Sequence, residues 1–320
     1  MPLAGSGAES VSGPPRPPAA PLDQVFTAGF LRKLERLQLR VRQSLATRPG
    51  NTPMPRGAQA SGLELASHKD YAPGDDLRHL DWNAFGRLDQ LLIKTFRAER
   101  EAALHLLLDC SASMAAPASD GKFAFASALA AAVAYISLRH NDPVRVVALA
   151  GNGRRAFRCS PWFRHRDALA RLRDYLASLQ PAGTTTIAEG VRHYAGQVRV
   201  PGVAVLLSDF LLEPAGYESA LQALAGRGWT AAALRVLGPA ERDPGRLFRR
   251  GRLCDSETGA ERVITLTAAN RARYQAALQH HLDSLRTWCQ RHALPFSVVD
   301  PSAGLEHALF YNLPAAGIVK

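Results

Sequence analysis

The sequence predicts an open, mostly parallel, doubly wound α/β sheet with helices on both faces. From residue 101 onward, segments typical of strands and of helices alternate without a repeat period, as they do in βα units. The runs at 102–109 and 202–209 are almost continuously apolar, which indicates strands buried on both faces. Further strands are predicted at 143–150, 229–238 and 295–300, and helices at 121–140, 165–179, 187–198, 216–228 and 268–293.

Two segments depart from this alternation. Residues 154–159 ("RRAFRC") form a short extended run that can pair with the strand at 143–150. Residues 245–267 predict a β-hairpin, because "SETGA" has the composition of a turn between two extended runs. We interpret this hairpin as an insertion in the α/β domain.

The N-terminal region divides into a tail and a helix. Residues 1–21 are rich in Pro, Gly, Ser and Ala, a composition typical of a disordered tail. Apolar side chains then recur every three or four residues among Arg and Lys, which predicts a basic amphipathic helix. Such a helix either packs on the α/β domain or docks on a membrane surface or a partner protein. Its apolar positions are Phe26, Phe30, Leu34, Leu37, Val41 and Leu45.

Composition narrows the class of protein. The 320 residues are 47% hydrophobic and carry a net charge of +11, which permits one large or two smaller globular domains. Neither an apolar run of about 18 residues nor a signal-peptide pattern is visible, and we expect a cytoplasmic protein. The cysteines, at 110, 159, 254 and 289, lack paired spacing, which argues against a disulfide framework and a cysteine-based zinc site.

The expected organisation has four parts. They are a tail at 1–21, an N-terminal helix with a polar segment at 22–100, the α/β domain at 101–301 and a C-terminal extension at 302–320.

Oxygen-bearing side chains follow two of the buried strands. Asp109, Ser111 and Ser113 alternate after one strand, and residues at alternate positions of an extended chain point to the same side. Asp209 ends another strand. Ligands of open α/β sheets bind at the carboxyl ends of strands, and carboxylate and hydroxyl oxygens suit Mg²⁺ or Mn²⁺.

A third segment, "GTTTIAEG" at 183–190, offers threonine hydroxyls ahead of a helix. Together these residues resemble the von Willebrand factor type A fold and its metal-ion-dependent adhesion site. The resemblance implies that Asp109, Ser111, Ser113, Thr185 and Asp209 hold one divalent cation, with Thr184 and Thr186 adjacent to the threonine position. The glycine that usually follows the last aspartate in that family is Phe210 here. Such a site binds an acidic side chain of a partner protein.

A polar segment precedes the first buried strand, within residues 68–101. Asp75 or Asp76 can cap a helix, and Asp75, Asp76 and Asp81 can form ion pairs with Arg78 and Arg87. Paired carboxylates can also make an acid/base pair or a metal site. The order of its residues resembles the family called domain of unknown function 58. That family usually has an Ala–Arg pair after the tryptophan motif; this chain has "FGR" there, so only Arg87 matches the pair. The "CDSETGAERV" hairpin also looks like that family. The matching positions are Tyr71, Pro73, Gly74, Asp75, Asp76, Arg78, Asp81, Trp82, Lys94 and Glu99.

Members of that family resemble partners of MoxR-type AAA+ ATPases. The resemblance therefore implies a non-enzymatic, metal-dependent adaptor in chaperone-like assembly or maturation of a client protein. Two alternatives stay open: a Mg²⁺-dependent phosphoryl-transfer enzyme, since an aspartate at a strand end can be a nucleophile, and a basic surface that binds nucleic acid or lipid. The sequence lacks a P-loop, a dinucleotide fingerprint and a Gly–x–Ser–x–Gly elbow, and we do not expect nucleic-acid binding.

Overall fold

The structure, a computed structural model, describes residues 21–39, 64–73, 80–97, 103–150, 156–184, 187–199, 201–226, 228–246 and 250–320. The chain divides into two compact units. The main unit comprises Met1–Val41 and Ala102–Lys320, and the small unit comprises Arg42–Glu101. This division differs from the expected grouping of 22–100, because helices at 21–34 fall in the main unit with the α/β domain. The predicted tail at 1–21 lies almost wholly outside the described residues.

The strands are β1 (Glu64–Asp70), β2 (Leu92–Arg97), β3 (Leu104–Asp109), β4 (Val144–Leu149), β5 (Phe157–Cys159), β6 (Val203–Ser208), β7 (Thr230–Val236), β8 (Arg250–Cys254), β9 (Glu261–Thr265) and β10 (Phe296–Val299). The helices are α1 (Pro21–Val25), α2 (Ala28–Leu34), α3 (Trp82–Leu88), α4 (Lys122–Arg139), α5 (Leu169–Ala177), α6 (Ile187–Gln197), α7 (Pro214–Ala225), α8 (Pro239–Arg242), α9 (Ala268–Arg291), α10 (Leu305–His307) and α11 (Leu313–Ala315).

The main unit is built on a six-stranded sheet in the order β10-β7-β6-β3-β4-β5. All neighbours are parallel except β5, which runs antiparallel to β4 at one edge. The predicted fold class, an open and mostly parallel α/β sheet, is confirmed. Of the run at 154–159, Phe157–Cys159 pairs with β4 as predicted, and β8 and β9 form the predicted hairpin. Strand β3 lies inside the sheet between β4 and β6, with every residue buried, as its continuous apolar run predicts.

Helix α4 covers one face of the sheet and is almost entirely buried from Phe125 to Leu138. The stretch Ala118–Arg139 is long and apolar enough to cross a membrane by length and composition. However, 83% of its apolar window is buried inside the fold, and the helix serves here as a core element. Its many alanines allow close approach to the sheet.

The opposite face of the sheet carries a large apolar cluster. Side chains of α6, α7 and α9 pack there against alternate residues of the strands. The cluster includes Leu107, Val147, Leu206, Phe210, Tyr194, Tyr217, Leu224 and Leu285. Burial on both faces fixes the register of the strands, and the register in turn brings the polar residues that end β3 and β6 to one edge.

The N-terminal segment packs on the α/β domain, as one of the two interpretations of its apolar pattern predicts. Phe30 and Leu34 of α2 are buried. The prediction of a single long helix is wrong, because α2 ends at Leu34. Leu39 instead forms an antiparallel bridge with Val319 near the C-terminus. Val41 and Leu45 lie outside the described residues.

An aromatic cluster surrounds a buried histidine at the start of β3. His105 is 1% exposed, its Nδ1 lies 2.6 Å from the Tyr194 hydroxyl, and its ring packs edge-on against Trp229 and Trp162. Burial, with a smaller contribution from the Arg145 charge, lowers the pKa of His105 to about 3. The imidazole is therefore neutral in the folded protein at every ordinary pH.

We expect His105 to weaken the fold in acid. The unfolded histidine titrates near pH 6.5, so the unfolded state binds a proton first, and stability falls as the pH decreases from 6.5 toward 3. Between pH 7 and pH 4 this single group removes about 3 kcal/mol from the free energy of unfolding. Urea unfolding of wild type and of His105→Leu at both pH values measures the difference. His193→Leu, a change at an exposed histidine, is the control and should lose as much stability in acid as wild type does. If His105→Leu also loses as much stability between pH 7 and pH 4 as wild type, His105 is not the group responsible.

Candidate metal centre

The first loop of the candidate site follows β3 and turns its polar side chains inward. Asp109 and Ser111 are buried, and the Asp109 Oδ1 atom accepts a hydrogen bond from the Ser111 amide at 2.9 Å. The hydroxyl oxygens of Ser111 and Ser113 lie 2.8 Å apart. The structure thus brings together the carboxylate and two hydroxyls that the alternating pattern predicts on one side of the chain.

The third loop follows β6, the neighbour of β3. Asp209 is 2% exposed, and the preceding Ser208 donates its hydroxyl to Asp109 Oδ2 at 2.7 Å, which links the ends of the two strands. Phe210 adopts a left-handed backbone (φ 51°), the conformation for which glycine is usual at this position. A non-glycine residue there costs about 1–2 kcal/mol, and full burial of the ring, worth about 1.5–3 kcal/mol, offsets it.

The second loop lies against the first. The amide of Ala112 donates to the Gly183 carbonyl at 3.0 Å, and the amide of Ala182 donates to the Cys110 carbonyl at 2.9 Å. Gly183 has a positive φ of 76°, which permits the turn. Thr184 is exposed, whereas Thr185, the predicted ligand, and Thr186 lie outside the described residues.

The electrostatics of the site disfavour a second negative charge. Burial and, to a smaller extent, the nearby Asp209 carboxylate raise the pKa of Asp109 to about 6, against the hydrogen bonds from Ser208 and Ser111. Burial also raises the pKa of the Cys110 thiol to about 12, so this residue within the motif is a neutral packing group. A bound cation would offset the repulsion between the two aspartates.

Lys122, the first residue of α4, supplies a positive charge inside the protein. Its side chain is fully buried, and its Nζ atom donates to Asp209 Oδ2 at 2.8 Å and to Glu241 Oε1. Burial alone lowers the pKa of Lys122, but the Asp209 and Glu241 carboxylates outweigh it and raise the pKa above its usual value. The ammonium group therefore stays charged and bridges two carboxylates.

Glu241 is positioned by a contact between two loops. Both carboxylate oxygens of the buried Asp120 accept a hydrogen bond from the Ala240 amide at 3.1 Å, at the start of α8. A Cβ atom on Gly238 would lie 2.0 Å from Asp120 Oδ2, so only glycine allows this close approach. Burial raises the pKa of Glu241, although the Lys122 ammonium opposes the shift.

A second buried cation faces the same carboxylates. Arg235, near the end of β7, is 0% exposed, and within the described part of the chain its guanidinium nitrogens have no hydrogen-bond partner. Burial lowers its pKa, while the negative charges of Glu241 and Asp209 oppose the shift. The Asp209 carboxylate of the third loop thus interacts electrostatically with two buried cations and with the Glu241 carboxylate.

The sequence analysis did not predict three residues of this cluster: Lys122, Glu241 and Arg235. For Lys122 and Arg235, the sequence does contain a pattern that indicates a buried charge partner. A lysine in the first turn of a helix opposes the helix dipole, so Lys122 indicates an acidic neighbour. An arginine within the apolar strand "WTAAALRVLG" likewise indicates a buried charge partner. Glu241 has no such signal, because its position depends on a loop contact with Asp120.

The residues present fit a divalent cation by the chemistry of their donor atoms. Carboxylate and hydroxyl oxygens are hard ligands of the kind that Mg²⁺ prefers. Among the described residues, no group of three or more His, Cys, Asp or Glu side chains is arranged to hold a metal ion. A cation here would therefore depend on the serine hydroxyls as well as on Asp109.

In the small unit, two of the described motif residues, Asp81 and Tyr71, make local hydrogen bonds. Asp81 Oδ1 caps α3 by accepting from the amides of Asn83 and Ala84 at 3.0 and 3.2 Å, and Trp82 begins that helix. The amide of Tyr71 bonds the Leu91 carbonyl at 2.9 Å, next to the β1–β2 pairing. The sequence predicts a cap at Asp75 or Asp76 and an ion-pair role for Asp81, whereas the cap that the structure describes is Asp81. Gly74, Asp75, Asp76, Arg78 and Glu99 lie outside the described residues.

Comparisons with known proteins give a family and distant structural neighbours. The model of the family "Protein of unknown function DUF58" matches residues 67–284. The uncharacterized proteins Rv1480 of Mycobacterium tuberculosis and Mb1516 of Mycobacterium bovis are each 30% identical over 294 residues, which cover 88% of this chain and 87% of theirs.

Among solved structures, BatB from Bacteroides thetaiotaomicron is 17% identical, with a TM-score of 0.40, over 67% of this chain and 98% of its own. An aerotolerance-related membrane protein from Bacteroides fragilis is 19% identical, with a TM-score of 0.38, over 67% and 99%. A von Willebrand factor type A protein from Catenulispora acidiphila is 22% identical, with a TM-score of 0.34, over 46% and 35%.

We expect Asp109→Asn to stabilise the cation-free protein at neutral pH. Because the folded pKa of about 6 lies above the unfolded value of 3.8, the carboxyl favours folding below pH 3.8, and this contribution is lost as the pH rises to 6. At pH 7.5 in chelator, the variant should gain about 1–3 kcal/mol in the free energy of unfolding. Denaturant titration at pH 4 and pH 7.5 tests this, and a gain that is equal at both pH values contradicts it.

We expect Gly238→Ala to lower the free energy of unfolding by about 2 kcal/mol or more, because the new methyl group overlaps the Asp120 carboxylate. Gly196→Ala is the matched control: Gly196 lies in the last turn of α6 with no atom within 4 Å of its Cβ position, so this variant should be at least as stable as wild type. Thermal unfolding of both variants distinguishes the two effects. Equal stability of the Gly238 variant and wild type would show that α8 does not depend on this contact.

Proposed function

Because the chain belongs to the family of proteins of unknown function DUF58, we propose that it is a non-enzymatic, metal-dependent protein-binding adaptor. Its partner in this proposal is a MoxR-type AAA+ ATPase, and its task is the chaperone-like assembly or maturation of a client protein in the cytoplasm. The family match carries no activity of its own. The proposal therefore depends on the site.

One observation carries the proposal: three loops meet at the carboxyl edge of the sheet, and the first and the third turn oxygen side chains inward. Asp109 and Asp209 end adjacent strands, Ser111 and Ser113 follow β3, and the Gly183 loop is hydrogen-bonded alongside. Ligands of open α/β sheets bind at such an edge. The burial of the two aspartates raises the pKa of Asp109, which is the response expected of a carboxylate that lacks its counter-charge.

The proposed roles follow from the position of each side chain. Asp109 supplies the buried carboxylate, the two serines supply neutral oxygens, and Asp209 supplies the second charge of the site. A divalent cation held there, Mg²⁺ or alternatively Mn²⁺, would keep part of its positive charge unbalanced. An acidic side chain of a partner can bind the cation and neutralise that charge. Neutral hydroxyl ligands leave part of the cation charge unbalanced, and this favours attraction of an external carboxylate over activation of water.

The tests follow from the carboxylate at position 109. Mg²⁺ or Mn²⁺ should raise the thermal stability of the wild-type protein, by about 2.7 kcal/mol at a concentration of 100 Kd, because a ligand of the folded state stabilises it. Asp109→Ala should abolish this response and also the retention of a purified MoxR-type ATPase on the immobilised protein. Asp174→Ala, which changes an exposed carboxylate of α5, is the matched control and should keep both.

Two results would count against the proposal. One is a wild-type protein whose melting is insensitive to both cations and whose ATPase binding is unaffected by Asp109→Ala. The other is Mg²⁺-dependent turnover of phosphoesters that Asp109→Asn abolishes, which would assign the site to phosphoryl transfer.

A further inference from the structure

We propose that Lys122 is a built-in competitor of the divalent cation: its ammonium holds Asp209 in the cation-free protein and shifts to Glu241 alone when a cation binds. This inference rests on the proposed function, because it concerns the regulation of the same site. Lys122 is then a positioning residue, and it sets how readily the site fills.

The geometry supports the competition. The Lys122 Nζ atom lies 2.8 Å from Asp209 Oδ2, with both side chains almost fully buried. Asp209 Oδ1 accepts from the Leu211 amide at 3.2 Å, so that oxygen fixes the loop while Oδ2 holds the ammonium. One oxygen can therefore exchange its partner without movement of the backbone.

Glu241 makes the exchange possible. A buried ammonium without a carboxylate is strongly destabilising, so Lys122 needs a second partner before it can release Asp209. Glu241 is that partner: Lys122 already donates to its Oε1, and its Oε2 accepts from the Gly238 amide at 3.2 Å. Because Asp120 holds the start of α8, Glu241 stays in place when Asp209 is withdrawn.

The charge balance explains why the competition weakens cation binding. Asp209 and Glu241 face Lys122 and Arg235, so this cluster is neutral before any cation arrives. A divalent ion must approach Asp109 with two buried cations close to the third loop. When Asp209 moves from Lys122 to a divalent ion, Asp109 and Asp209 together neutralise that ion, and Lys122 and Arg235 remain opposite Glu241 alone. One positive charge is then in excess, and an added carboxylate from a partner protein would offset it.

The test removes the competitor without changing the net charge of the cluster. In Lys122→Met with Glu241→Gln, one cation and one anion are lost, and Asp209 becomes free for the metal. We expect Mn²⁺ to bind about tenfold tighter or more, equivalent to about 1.4 kcal/mol, by isothermal titration calorimetry. Lys33→Met with Glu306→Gln makes the same chemical change at an exposed pair joined at 2.7 Å, and its Mn²⁺ affinity should equal that of wild type.

A second variant has the opposite expected sign. Glu241→Gln alone removes the alternative partner, so Lys122 stays on Asp209 and Mn²⁺ should bind several-fold more weakly than to wild type. This variant keeps every buried cation, and it tests the inference even where the double variant fails to fold, as checked by circular dichroism. In the Lys122→Met background the same change should leave the affinity nearly unaltered.

The outcomes separate this inference from the proposed function. If wild type binds Mn²⁺ through Asp109 and the double variant binds with the same Kd, the competitor role is overturned and the adaptor proposal stands. If neither protein binds Mn²⁺, both are overturned. If only the double variant binds, and Asp109→Ala abolishes its binding, Lys122 excludes the metal in wild type, which supports the competitor role and overturns metal dependence.

Discussion

Two buried carboxylates at the ends of adjacent parallel strands determine the rest of the site. Asp109 and Asp209 reach one edge because β3 and β6 are neighbours in register, and both side chains are nearly inaccessible to water. Buried negative charge must be compensated by hydrogen bonds and by positive charge. The Ser208 bridge, the Lys122 ammonium and the arrangement of α8 all serve that requirement.

The groups that compensate the two buried carboxylates come from separate parts of the chain, and they join separate loops. Lys122 comes from the start of α4, Glu241 from α8 and Arg235 from β7, whereas Asp120 holds α8 beside the start of α4. Each loop is therefore fixed by a charge or hydrogen bond that another loop supplies. A substitution in any of them alters the electrostatic environment of the predicted metal ligands.

Most of the fold could be predicted from the sequence, because strands buried on both faces have a continuous apolar composition and helices have clear apolar spacing. The positions of Asp109, Ser111, Ser113 and Asp209 follow from that prediction, since the ends of parallel strands meet. The break after Leu34 could not be predicted, because the apolar spacing continues while the chain turns to pair Leu39 with Val319. The Lys122–Glu241 contact was equally inaccessible, since it depends on a tertiary approach permitted by Gly238.

Helix α4 has a mechanical consequence beyond its place in the core. Its first residue belongs to the charge cluster, and its last turns bind the N-terminal segment, where Tyr135 donates to the Glu35 carboxylate and Arg139 to the Glu35 carbonyl. Its 18 residues span about 27 Å, and the buried side chains along it resist bending. A rigid rod of this kind moves as one body. A displacement at the edge of the sheet would thus be transmitted to the far end of the domain, where the N-terminal segment lies.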